Sequence, residues 1–248
     1  MSRLKKSLGQ HFLRDKNVVK RIVDAGKLSP EDRVLEIGPG GGALTEEIVS
    51  RNLKEFIAVE IDPEWVSFLT EKFGDKVKII NADATDFDFS SLGGKFVYFG
   101  NLPYNVSTAI LRNLLTHRKT LKKGIFMVQK EVADRLTAKK GKEYGYFPAL
   151  LSLFFDIKKL FNVPPKAFIP PPKVMSTVIE VTPKEFEIEE KEIKEFESFL
   201  KRAFSQRRKK LKKNLGLKEL PEELKEFKDK RAEEIPPEEL LRIFRLLR

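Results

Sequence analysis

A chain of 248 residues can bury one large core plus a small appendage, so a main domain of about 180 residues and a minor one are expected. Lys and Arg outnumber Asp and Glu by 48 to 37 and the isoelectric point is near 9.6, a balance that favours a polyanionic partner, nucleic acid first. Cysteine is absent and histidine occurs twice, which excludes disulfides and thiolate metal sites and leaves metal catalysis unexpected; with no bilayer-length apolar run and no apolar leader in MSRLKKSLGQHFL, a soluble, cytoplasmic chain is expected.

From Arg33 to about Val181, short β-rich runs alternate with helical patterns, the signature of an α/β fold with a mostly parallel sheet. Strands are predicted at 34–37, 56–60, 77–80, 96–100, 124–128, 153–161 and 177–181. Helices are predicted at 16–25, 44–50, 63–73, 107–117 and 130–137, each opening near a capping residue or proline. Only Pro-rich sequence, Val163 to Lys173, separates the last two strands. That leaves no room for a crossover helix and predicts an antiparallel pair at the sheet end. After Pro183 the composition turns to Glu, Lys, Leu and Phe, with Phe196, Phe199, Leu200 and Phe204 on one helical face. The expected division is a main domain over 1–184 and a helical domain over 185–248. Within the latter, Lys201–Lys213 carries eight basic and no acidic residues, although residues 185–248 nearly balance at 18 basic against 16 acidic. Such a run is either a solvated helix face or a focused anion-binding patch.

Val34–Thr45 reads as a strand, a glycine turn and a helix start, the arrangement that lets a ligand approach main-chain amides. Gly38, Gly40 and Gly42 are spaced G-x-G-x-G rather than as the dinucleotide fingerprint G-x-G-x-x-G, and Glu36 precedes them. A carboxylate at the turn suits a cationic ligand such as S-adenosylmethionine and would repel a pyrophosphate. Glu60 ends the next strand, where a carboxylate can accept ribose hydroxyls, and Asp83 follows the third, where it can accept an adenine amine.

Phe99-Gly-Asn-Leu-Pro-Tyr104 closes the fourth strand. The amine of adenine is a poor nucleophile whose lone pair is delocalised into the ring, so it must be aimed rather than deprotonated. Asn101 can offer a side-chain carbonyl and Leu102 a main-chain carbonyl to the amino protons, Pro103 can fix the turn, and the Tyr104 ring can stack on the base. An Asn-Pro turn beside a core Tyr is the plainer alternative.

These segments together resemble the KsgA-type small-subunit rRNA adenine dimethyltransferases. The likeness rests on Lys5–Leu13, Glu36–Gly42, Asn101–Tyr104 and Val163–Val174, in that order, and covers nearly the whole chain. It implies a Rossmann-like class I methyltransferase fold plus a small C-terminal helical domain, with S-adenosylmethionine as cofactor. It further implies cofactor contacts at His11, Leu13, Gly38, Glu60, Asp83 and Asn101, that of His11 made through its main chain, with an ordinary surface histidine as the alternative. Phe168 resembles the family's second stacking aromatic, with a core Phe in a Pro-rich connection as the plainer alternative. The implied reaction is dimethylation at N6 of two adjacent adenosines in a hairpin near the 3′ end of small-subunit (16S) rRNA, with a role in ribosome biogenesis. The implied partners are that rRNA and the assembling small subunit, and a monomer is expected. Arg3, Lys5, Lys6, Arg207, Arg208, Lys209 and Lys210, with the Lys139–Lys142 loop, are the candidate RNA contacts. The alternatives are a large-subunit rRNA methyltransferase of the resistance type, an assembly factor that binds without transferring, and a nicotinamide dehydrogenase, which the glycine spacing disfavours.

Overall fold

The computed structural model describes residues 11–186 and 188–248, and the chain divides into two compact units. The first holds the described residues up to Ala133 together with Lys158–Pro183. The second holds Asp134–Ile157 and Lys184–Arg248.

The first unit is an α/β sheet. Its strands are β1 (Phe12–Leu13), β2 (Arg33–Ile37), β3 (Glu55–Glu60), β4 (Lys78–Asn81), β5 (Phe96–Asn101), β6 (Leu121–Gln129), β7 (Phe155–Val163, entering the unit at Lys158), β8 (Phe168–Ile169) and β9 (Ser176–Pro183). Its helices are α1 (Lys16–Ala25), α2 (Ala43–Val49), α3 (Pro63–Phe73) and α4 (Ser107–Thr116). Seven strands run in the order β4-β3-β2-β5-β6-β9-β7, while β1 and β8 form a separate antiparallel pair. Strands β4, β3, β2, β5 and β6 are mutually parallel and β9 returns antiparallel against β6. Near-continuous burial of β2, β3 and β5 follows from helices covering both faces of a parallel sheet. Helix starts are set locally: Asp15 accepts from the Asn17 and Val18 amides at 2.9 and 3.3 Å to open α1, and Asp62 accepts from Glu64 N ahead of Pro63 to open α3.

The second unit contains α6 (Tyr146–Phe154), α7 (Glu190–Ala203), α8 (Leu211–Asn214) and α9 (Pro237–Leu246), with α5 (Lys130–Leu136) crossing the break at Ala133. Phe196, Phe199 and Phe244 pack with ring centroids 5.4–5.9 Å apart. Each such buried ring contributes about 1.5–3 kcal/mol of transfer free energy.

Two expectations differ from the structure here. Leu153 and Phe154 are helical, in α6, and the strand begins only at Phe155. Seven of the nine residues of α6 are buried, so its sequence has no polar face by which a 3.6-residue period could be told from a buried strand. The same burial makes the second unit discontinuous: α6 packs against α7 and α9, so residues 134–157 join the helical unit rather than the main one.

Gly100 lies opposite Ile37 where β5 pairs with β2. A Cβ there would stand 2.8 Å from Leu102 Cδ2 and 3.0 Å from the Ile37 carbonyl. Gly100→Ala is therefore expected to cost about 1–3 kcal/mol, read as a lowered urea midpoint at unchanged m-value.

Candidate active site

Strand β2 is flanked by β3 on one side and β5 on the other, so the chain leaves it in opposite directions and a crevice opens beyond the strand ends. A cavity of about 440 Å³ occupies this place, walled by the segments that follow β2, β3, β4 and β5 and by His11–Leu13. Despite a net charge of +11, its lining carries the carboxylates of Glu36, Glu46, Glu60 and Asp83 and, among the described residues, no Lys or Arg.

The glycine turn forms one wall. Gly40 has φ +52°, and a Cβ there would meet the Phe12 ring at 3.0 Å, so both conformation and space call for glycine. Glu60 reaches over from β3: its Oε2 accepts from Gly40 N at 3.0 Å and its Oε1 from Asp62 N at 2.9 Å. Glu60 is 3% exposed; burial pushes its carboxyl up, and the two amides pull it back. Glu36 is buried with Thr45 donating to its Oε2 at 2.6 Å. Burial pushes its carboxyl up to about 8, the Thr45 bond opposes this, and the Glu60 charge adds to it. Both of Asp83's bonds, from Thr85 N and Oγ1 at 2.8 Å, fall on Oδ1.

The opposite wall is the loop after β5. Asn101 Nδ2 donates to the His11 carbonyl at 3.0 Å, which settles the amide orientation and leaves Oδ1 as the group with acceptor capacity to spare. The Tyr104 hydroxyl bonds Ser176 Oγ at 2.7 Å, and the His11 ring lies 5.5 Å from the Tyr104 ring. His11 Nδ1 faces the Pro170 carbonyl at 2.8 Å, so this nitrogen carries the proton. The β1–β8 pair holds these parts together: Phe12 is registered on Ile169 and Leu13 on Phe168, and Arg14 N donates to Ala167 O at 2.8 Å.

His11, Leu13, Gly38, Glu60, Asp83, Asn101, Leu102, Pro103 and Tyr104 thus all line one cavity. Phe168 does not. It is 2% exposed and packed in the core, while its neighbour Ile169 is 47% exposed, because alternation along β8 turns Phe168 inward. Its expected role as a second stacking ring is corrected accordingly. Sequence reasoning missed Trp65 in the lining, whose ring lies 5.3 Å from that of Phe12, and Ser176 behind Tyr104. No local motif marks either, since both act through partners distant in sequence.

The whole chain, residues 1–248, matches the model of the ribosomal RNA adenine dimethylase family. The chain belongs to this family. It is similar to the ribosomal RNA small subunit methyltransferase A of Sulfurihydrogenibium sp., 42% identical over 246 residues and covering 97% of this chain and 95% of that protein. The corresponding protein of Persephonella marina is 39% identical over 247 residues, covering 98% and 93%. Among solved structures, a dimethyladenosine transferase from Plasmodium falciparum superposes with a TM-score of 0.78 at 25% identity over 94% of this chain and 96% of that one. The 23S rRNA methyltransferase ErmE does so with a TM-score of 0.75 at 26% identity over 94% and 98%. The dimethylase is an rRNA methyltransferase with a class I methyltransferase fold.

Of the basic residues expected to meet RNA, Arg3, Lys5 and Lys6 lie outside the described residues. Arg208 and Lys209 are exposed. Arg207 and Lys210 are exposed too and also hold contacts within the chain: Arg207 Nε bonds Glu233 at 3.2 Å while its Nη2 donates to the carbonyls of Gly141, Lys142 and Tyr144, and Lys210 pairs with Asp229 at 2.7 Å. No helix of the described residues is long and apolar enough to cross a membrane, and no cluster of His, Cys, Asp and Glu among them could hold a metal.

The raised Glu36 carboxyl carries a linkage. Below its ordinary value of 4.5 both folded and unfolded chains hold the proton. Between there and about 8 only the folded chain does, and stability relative to acid falls as pH rises. Glu36→Gln is expected to leave the melting temperature of the cofactor-free dimethylase unchanged near pH 4. At pH 8 it should raise stability by on the order of 2–4 kcal/mol, followed by thermal unfolding at both pH values.

Proposed function

We propose that the dimethylase binds S-adenosylmethionine in this cavity and methylates N6 of two adjacent adenosines in a hairpin near the 3′ end of small-subunit rRNA, acting in the cytoplasm during ribosome biogenesis. The orientation of Asn101 carries the reading: with Nδ2 committed to the His11 carbonyl, Oδ1 is left to accept from an exocyclic amine beside the Tyr104 ring. The donor set fits the cofactor. A lining with four acidic side chains and, among the described residues, no Lys or Arg suits a ligand bearing a sulfonium and an ammonium, and opposes a pyrophosphate.

When bound, S-adenosylmethionine supplies an electrophilic methyl group. Glu60 would hold the ribose hydroxyls on the remaining acceptor capacity of its two oxygens, and Asp83 Oδ2 would take the cofactor's adenine amine. Glu36 would lie nearest the cationic end and regain its charge there. The residues of the β5 loop aim the substrate. Asn101 Oδ1 and the Leu102 carbonyl take the two amino protons and turn the nitrogen lone pair away from the ring, and Tyr104, held by Ser176, stacks on the extruded base. As N6 gains its bond to carbon and the carbon–sulfur bond breaks, N6 becomes positive, the same two acceptors stabilise that charge, and N6 then sheds one proton to solvent. After the first transfer one N–H remains, so one acceptor suffices for the second.

Labelled methyl transfer to undermethylated small subunits and, in parallel, to large subunits tests the reading. Dimethyladenosine from small subunits alone is expected. Label in large subunits, or tight binding to small subunits without label, would overturn it. Asn101→Ala is expected to lower turnover by about 10²–10³-fold while cofactor affinity, measured calorimetrically, falls less than about tenfold.

A further inference from the structure

The second unit laces together three segments that are far apart in sequence. Gly141 N donates to Glu233 O at 3.1 Å and Leu211 N to Lys230 O at 2.8 Å. Between them lies the Arg207 guanidinium, bonded to Glu233 through Nε and to three carbonyls of the 141–144 turn through Nη2. The planar fork commits its Nε and Nη2 donors inward here, on four acceptors, and keeps only the two Nη1 protons for other partners. The acidic side chains of the third segment are engaged as well, Glu233 by Arg207 and Asp229 by Lys210. On the two joined segments Lys139, Lys140, Lys142, Arg208 and Lys209 are exposed.

We propose that Arg207 is a positioning residue that locks the 139–144 loop to the 205–211 turn, so that lysines of both present one continuous face to the phosphates of structured RNA. This rests on the rRNA reading and deepens it. Neither segment alone spans more than a few phosphates. Joined, they offer the spread cationic face that a rigid RNA backbone requires, and sequence-independent affinity then follows from counterion release.

The test measures affinity for undermethylated small subunits and for protein-free small-subunit rRNA as a function of salt. Lys139→Gln/Lys140→Gln/Lys142→Gln is expected to lower the slope of log affinity against log salt by about one unit for each phosphate no longer neutralised. Arg207→Lys keeps the charge, but its single nitrogen cannot bridge Glu233 and three carbonyls. It is expected to weaken binding roughly tenfold, as Arg207→Gln does, and to speed deuterium exchange of residues 139–144, with kcat at saturating RNA unchanged. Wild-type affinity in Arg207→Lys would overturn the proposal in favour of a direct phosphate contact. An unchanged slope in the triple variant would overturn it even if Arg207→Lys fails to fold. Effects confined to intact subunits would place an acidic protein on this face instead, and also overturn it. Salt-dependent binding without methyl transfer would leave this face standing and sink the catalytic reading alone.

Discussion

The hydrogen bond from Asn101 Nδ2 to the His11 carbonyl is the contact on which the geometry of the candidate active site depends. A side-chain amide has two chemically opposite ends, and a loop cannot by itself decide which one faces a substrate. A main-chain carbonyl decides it, because only the NH₂ end can donate. That carbonyl is in place because β1 pairs with β8, which fastens residues 12 and 13 to residues 168 and 169. Ser176, at the start of β9, then holds the Tyr104 hydroxyl. Three stretches separated by scores of residues are thereby required to fix the side chains of Asn-Leu-Pro-Tyr in the cavity.

Electrostatics divides the dimethylase by task. The chain as a whole is strongly basic, yet the cavity is walled by carboxylates, one of them raised to about 8 by burial. Keeping Glu36 buried is costly, and Thr45 offsets only part of that cost. A cation placed beside Glu36 would favour its charged form, an effect that an exposed carboxylate, screened by water and salt, would show less. Lys139, Lys140, Lys142, Arg208 and Lys209 of the second unit are by contrast exposed, where a charged group keeps its hydration.

Much of this was legible along the chain. The strand and helix positions from residue 16 to residue 137 depend on short-range pattern and on caps such as Asp15 and Asp62, and they agree with the structure to within a few residues. The glycine turn, Glu60, Asp83 and Asn101 follow successive parallel strands, and a parallel sheet necessarily gathers its strand ends at one edge, so their convergence could be inferred from order alone. Helix α6 could not be read, because a run apolar on nearly every side shows no clear period, and its burial moved the boundary between the units.

What the sequence by itself determined was the class of fold, the family and the four motif positions of the cavity, since each rests on spacing between neighbours in the chain. Tertiary structure alone decided which way side chains point and what they meet. It turned Phe168 into the core, brought Trp65 and Ser176 to the site, and spent the Arg207 fork on carbonyls of a distant turn. Those outcomes depend on strand alternation and on contacts between remote segments, and a linear pattern of residue types records neither.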